Sequence, residues 1–297
     1  MCDKRIRKFY SAAVIIMLCP VVMAGALAQG RPDPAKVSVV YRVPKMEQAV
    51  VRAGVVFDNS SAAPLALDAY IPRGLRAGER RPAIVFVSGA ERVRHWRWFI
   101  TWGQIAAAHG FIGIVPDKRY PPSIDGLRAG FADTETLLTY LRTHGDSLGV
   151  DPQRICLWTF SAGGRLTSVG LKAGQGVRCL VSFYGVLDIS PGLASMNSES
   201  DRESLLRQYS PLQALEALAA SGGKVPPLFI ARAGKDMPSL NAGIDRFTAT
   251  ALRLNAQFTV MNYAEGDHGF DGINDTPQSR AIIEAALRFV REHAGAN

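Results

Sequence analysis

The chain has 297 residues, 47% of them hydrophobic and 20% charged, with no internal repeat and no low-complexity tract, a balance that excludes disordered, collagen-like and repeat architectures. The formal charge of +8 invites an anionic partner, but Lys4, Arg5, Arg7 and Lys8 against Asp3 put +3 of it within the first ten residues, and the remainder is scattered, densest at residues 73–81 and 92–97. With no basic helix and no aromatic-interleaved RNA motif, a nucleic-acid partner is not expected.

Residues 1–10 are basic, residues 11–24 are mostly apolar, and Ala26-Leu27-Ala28 has the small-x-small form that precedes a cleavage site. This reads as a secretory signal peptide cut after Ala28, giving a secreted or periplasmic protein with no stable membrane insertion after cleavage. The alternative is an uncleaved N-terminal anchor, since the apolar stretch approaches the ~20 residues of a membrane span; Pro20 and the small residues after it favour cleavage. Residues 29–49 read as an N-terminal extension, and residues 50–297 as one α/β domain large enough to bury a substantial core.

Within that domain, residues 50–58 and 64–70 alternate as two antiparallel strands around the polar turn Asn59-Ser60-Ser61. Apolar runs at residues 83–87, 111–115, 154–159, 179–184, 228–231 and 258–261 have the texture of strands buried on both faces, as in a parallel sheet. Helical patterns at residues 99–109, 127–143, 162–172, 239–254 and 277–293 separate them, so a doubly wound sheet with right-handed crossovers is predicted. The more polar segment 190–224 interrupts the alternation; of a small flap over the site and a long surface excursion, the flap is slightly favoured. Cys156 and Cys179 fall in buried strands where bridge geometry is demanding, so two free core thiols are predicted, although an oxidising compartment would permit a bond.

In such a sheet the ligand site lies beyond the C-terminal strand ends. The pattern Ser-x-Gly occurs five times, starting at Ser147, Ser161, Ser168, Ser190 and Ser221, but only Ser161 sits at a strand-to-helix junction, with Gly163 two places on to let the helix pack closely. A serine hydroxyl needs a base. Of the histidines, His109, His144 and His293 end helices and His95 is ambiguous, whereas His268 lies in a glycine-containing loop just after a strand. Asp236 follows the neighbouring strand and is the predicted acid that orients His268, with Asp188 in reserve; Asp267, adjacent to His268, is poorly placed to turn toward it. Backbone N–H groups of Ala162 and of Gly89 or Ala90 are the predicted oxyanion donors. No spaced His/Cys/carboxylate set of metal-ligand type is seen, and neither metal nor organic cofactor is expected.

These residues carry a resemblance. The chain, over residues 50–293, is similar to the α/β-hydrolases, specifically the small secreted esterases related to dienelactone hydrolases and to acetyl- or feruloyl-esterase-like proteins. Leu65-Ala66-Leu67-Asp68-Ala69-Tyr70-Ile71-Pro72 resembles their opening strand, Gly149-Val150-Asp151-Pro152-Gln153-Arg154-Ile155 the approach to the nucleophile, and Gly234-Lys235-Asp236 and Asp267-His268-Gly269-Phe270 the acid and base loops. Thr159 replaces the first glycine of the nucleophile motif, and Val87-Ser88-Gly89-Ala90 replaces a His-Gly-Gly oxyanion loop. The resemblance implies a serine carboxylic-ester hydrolase acting through an acyl-enzyme on small-molecule esters, carbohydrate or aryl esters among them. The alternatives are a serine peptidase of the same fold, resembling prolyl oligopeptidases, and a non-catalytic binding protein. Trp96, Trp98, Phe99 and Trp102 serve equally well as helix core or as an aromatic platform for substrate. The short polar 190–224 segment favours small acyl groups. Nothing in the sequence indicates the oligomeric state.

Overall fold

A computed structural model of the chain describes residues 32–60 and 63–295. The signal-peptide and anchor expectations lie outside these residues. Eight described strands form one sheet in the order β1-β2-β4-β3-β5-β6-β7-β8. They are β1 Val50–Asp58, β2 Leu65–Ile71, β3 Arg81–Val87, β4 Ile112–Pro116, β5 Val150–Phe160, β6 Val177–Phe183, β7 Leu228–Ala233 and β8 Phe258–Tyr263. The β1–β2 and β2–β4 pairs are antiparallel, and from β4 through β3 to β8 every pair is parallel. The main helices are α1 Arg97–Ala108, α2 Ile124–His144, α3 Thr167–Leu171, α4 Glu199–Tyr209, α5 Pro211–Ala220, α6 Pro238–Arg253, α7 Phe270–Ile273 and α8 Pro277–Ala294.

Successive side chains of a strand point to opposite faces, and the sheet separates two chemically different cores. Ala83, Val85 and Val87 of β3, with Ile155 and Leu157 of β5, face an aliphatic layer completed by Leu137, Leu138 and Leu141 of α2. The intervening Ile84 and Phe86, with Cys156, Trp158 and Phe160, face an aromatic layer that includes Trp102 and Phe183. Trp102 and Trp158 lie 4.7 Å apart by ring centroids, and Trp158 lies 5.0 Å from Phe183.

Three expectations change. Cys156 and Cys179 are joined in a disulfide: β5 and β6 are neighbours, their register sets these two residues opposite each other, and the 4.8 Å between their Cα atoms is within the range a bridge needs. The 190–224 segment is built into the helical layer, because Leu193, Leu205, Leu215 and Leu218 are buried in the aliphatic core and Leu212 N–H donates to Leu187 C=O. Residues 32–49, expected to precede the domain, are woven into it. Val39 and Met46 are buried in the aromatic layer, the carbonyls of Pro34 and Ala35 accept from Trp98 and Arg97 at the start of α1, and Val40 N–H donates to Asp271 C=O.

Candidate active site

β5 ends at Phe160, and the chain turns at once into a 3-10 turn, Ser161–Leu166, before α3. Ser161 sits in that turn at φ 54°, a left-handed conformation that a residue with a Cβ adopts at a cost of order 1–3 kcal/mol. The turn is packed tightly and pinned, Val186 N–H donating to Ser161 C=O at 2.9 Å. A Cβ on Gly163 would fall 2.6 Å from the Ser88 carbonyl, so the residue two places after Ser161 must be glycine. Thr159, the departure from the usual motif, is fully buried and bonds Thr167 Oγ1 at 3.0 Å and Val181 C=O at 3.3 Å, tying strand to helix across the turn.

The loop after β8 brings His268 over this turn. Its Nε2 is 2.8 Å from Ser161 Oγ and its Nδ1 is 2.6 Å from Asp236 Oδ2, with Asp236 in the loop just after β7. The Asp236 side chain is 1% exposed and that of His268 18%, and the other carboxylate oxygen accepts from Met237 N–H at 2.7 Å. With the carboxylate holding a proton on Nδ1, Nε2 is left as acceptor for the serine hydroxyl, which is the arrangement a base needs. The other acids are engaged elsewhere. Asp188 pairs with Arg246 Nε at 2.7 Å and accepts from Ser190 N–H; Asp267 accepts from Asn274 Nδ2 at 2.9 Å. His95 is exposed on the loop before α1.

The loop after β3 closes on the same turn. A Cβ on Gly89 would fall 2.7 Å from the Ala162 Cβ and 3.0 Å from its N, so the backbones of Gly89 and Ala162 are in contact. Ala162 is at the start of the 3-10 turn, where N–H groups lack partners within the helix. Ala90 drops out as an oxyanion donor, since its N–H already donates to Ser88 Oγ at 3.1 Å. In the sequence Ser88 stands out only as a departure from a glycine-rich loop; nothing in the local pattern signals that its Oγ bonds both the N–H and the C=O of Ala90.

Sequence reasoning missed two buried ionisable groups. Asp271, wholly buried, accepts from Tyr184 Oη at 2.6 Å on one oxygen and from Trp98 Nε1 and Trp102 Nε1 at 2.8 and 2.9 Å on the other. Burial raises its pKa against the lowering effect of these donors. The Tyr184 ring lies 4.7 Å from the His268 ring, and burial beside Asp271 pushes its phenol well up. Trp98 and Trp102 thus serve the core and this carboxylate. The second group is Lys118, 4% exposed, just past the end of β4, a position that the strand-end rule would have flagged.

Among the described residues no group of three or more His, Cys, Asp or Glu side chains could hold a metal, and no helix is long and apolar enough to cross a membrane. No protein-family model matches the sequence, and no curated protein sequence matches it; the closer tie to dienelactone hydrolases or feruloyl esterases has no support from either comparison. Solved structures do match. A thermophilic esterase from the planctomycete Thermogutta terrifontis superposes with a TM-score of 0.64 at 22% identity, over 85% of this chain and 95% of that one. Its butyrate-bound form gives 0.64 and 22% over 84% and 95%, and the form phosphorylated by paraoxon 0.63 and 21% over 84% and 97%. The parallel sheet with its antiparallel start, the helices on both faces and this likeness together establish that the chain has the α/β-hydrolase fold.

Proposed function

We propose that the protein is a serine carboxylic-ester hydrolase that works through an acyl-enzyme. The observation that carries this is the unbroken hydrogen-bond chain from Ser161 through His268 to Asp236, with Ser161 held at positive φ on a strand-to-helix turn. Ser161 Oγ attacks the ester carbonyl carbon while His268 Nε2 takes its proton, and Asp236 stabilises the imidazolium that forms. The charge gathering on the carbonyl oxygen is met by the N–H groups of Ala162 and Gly89. The tetrahedral adduct then expels the alcohol, which receives the proton from His268. Water repeats the sequence on the acyl-enzyme and releases the acid.

A small acyl group is the substrate this reading favours. The esterase of the same fold has been solved with butyrate and with propionate bound, and it has also been solved phosphorylated by paraoxon, a reaction that an activated nucleophile undergoes. For location, we propose export to the periplasm or medium. The basic start and apolar run support it, as does a core disulfide, which persists in oxidising compartments.

Fluorophosphonate labelling with peptide mapping is expected to modify Ser161, and Ser161→Ala to abolish labelling and lower kcat by at least about 10⁴-fold with little change in melting temperature. A panel of p-nitrophenyl esters from two to sixteen carbons is expected to peak at the short end. A label on any other serine, or near-normal turnover by the variant, removes Ser161 from the reaction.

A further inference from the structure

The four residues that follow β4, Asp117-Lys118-Arg119-Tyr120, reach both peptide segments that flank the carbonyl site. The Lys118 amine donates to Ala90 C=O, on the loop that supplies Gly89. Tyr120 Oη donates to Ala162 C=O at 3.0 Å, and Tyr120 N–H to Glu91 Oε1 at 2.8 Å. The amine also lies 4.6 Å from the centre of the Tyr120 ring, so the two side chains form one unit wedged between the oxyanion loop and the turn of Ser161. A buried lysine whose direct partners are a carbonyl and a ring face is uncommon, and the proton relay makes no use of it.

We propose that Lys118 is a positioning residue for ester hydrolysis: with Tyr120 it fixes the distance between the Gly89 and Ala162 N–H groups, and its positive charge strengthens the oxyanion site from behind. This rests on the hydrolase reading above. Ala90 C=O, gripped by Lys118 and by Ser88 Oγ at 3.0 Å, cannot swing, which holds the Gly89 peptide against Ala162. The charge lies on the side of the loop away from solvent, where a cation acts on a developing anion with little screening.

Burial holds the amine down to about 7, so the protonated form is lost as pH rises through neutrality. Glu91 on the oxyanion loop, Asp133 on α2 and adjacent Asp117 all favour the charged form. Asp117 is offset by Arg94 at 2.9 Å and Arg92 at 3.8 Å, and Asp133 by Arg119, whose Nε is 3.1 Å from it. These pairs leave desolvation as the dominant influence.

Rates with p-nitrophenyl butyrate and with a fluorophosphonate, measured from pH 5.5 to 9.5, test this on the wild type, Lys118→Met and Tyr120→Phe. The wild type is expected to lose kcat as pH rises through about 7. Lys118→Met is expected to lose that limb and to fall roughly ten- to hundredfold in kcat at pH 6 with KM little changed. Its melting temperature is expected at or above the wild-type value, because a buried charge has been removed; a lysine with a merely structural role would lower it. Tyr120→Phe is expected to lose less kcat and keep the limb. A Lys118→Met enzyme with wild-type kcat, or one that keeps the limb, overturns the inference; if that variant does not fold, absence of the limb from both wild type and Tyr120→Phe does so. A wild type inert to both reagents overturns the hydrolase reading and this inference with it.

Discussion

On one side of Ser161, the loop that carries His268 is tied to α1 and to the end of β6 through a buried acid: Asp271 collects hydrogen bonds from two indoles of α1 and from the phenol of Tyr184 just after β6, and that phenol's ring packs against the imidazole. On the other side, the loop that carries Gly89 is tied through a buried base, Lys118, whose partners are a carbonyl and an aromatic face. Both groups are surrounded by dipoles, and burial pushes each toward its neutral form, the acid upward and the amine to about 7. The settings differ as well. Asp271 sits in the aromatic core, whereas Lys118 borders a charged shell in which Arg94 bridges Asp68 and Asp117 at 2.7 and 2.9 Å. The acid therefore acts mainly as an acceptor that organises aromatic rings, and the base acts where charge develops during reaction.

The sharpest way to break the comparison is to disable the His268 side at its source. Asp236→Asn is expected to keep the fold and lower kcat by about 10⁴-fold, because an amide holds the wrong histidine tautomer. Asp188→Asn, which loses a pair with Arg246 but no contact with His268, is expected to lower kcat far less. Steady-state kinetics on purified variants with matched melting curves separates the two, and a reversal would move the orienting acid to the strand before β7.

Asp271 comes next in expected effect. Asp271→Leu leaves two indole N–H groups and a phenol without their acceptor, each costing roughly 1–3 kcal/mol, so a fall in melting temperature of roughly 10 °C is expected. Asp271→Asn can turn its oxygen to the indoles and donate its NH₂ to the Tyr184 oxygen, and is expected to cost well under half as much. Calorimetry on the pair decides whether the acceptor or the charge matters; equal losses would show that it is the charge. His268 turnover is expected to suffer in the leucine variant, since the Tyr184 ring loses its tether.

The sheet and the convergence of Ser161, His268 and Asp236 were legible in the sequence because both follow from local pattern. Two alternating stretches and six apolar runs marked the eight described strands, with β1 at its observed limits, and each of Ser161, Asp236 and His268 stands just after a strand. β5 begins at Val150, four residues before its apolar run, since Asp151-Pro152-Gln153 has the composition of a turn yet continues the strand. The disulfide was illegible because it depends on which strands are neighbours and in what register, and neither follows from either strand alone. Asp271 and Lys118 were passed over for a related reason. An aspartate or lysine in a sequence is ordinarily a surface residue, and only the tertiary fold shows that indoles or a carbonyl converge on it.

The smallest expected effect is also the most direct measure of the contrast, and it lies in how stability depends on pH. Asp271 has a raised pKa when folded, so between its unfolded value of ~3.9 and its folded value the native state binds more protons, and its contribution to stability declines as pH rises. Lys118 has the opposite relation. Between about 7 and the unfolded value of ~10.4 the unfolded chain holds a proton that the native state does not, so stability from this site increases with pH. Differences in melting temperature between variant and wild type isolate each group from the other titrations. Asp271→Asn is expected to improve relative to wild type as pH rises above ~4. Lys118→Met is expected to hold its advantage below about 7 and to lose it progressively toward pH ~10. Parallel slopes in the two comparisons would mean that one of the two groups is not buried as an ion in the native protein.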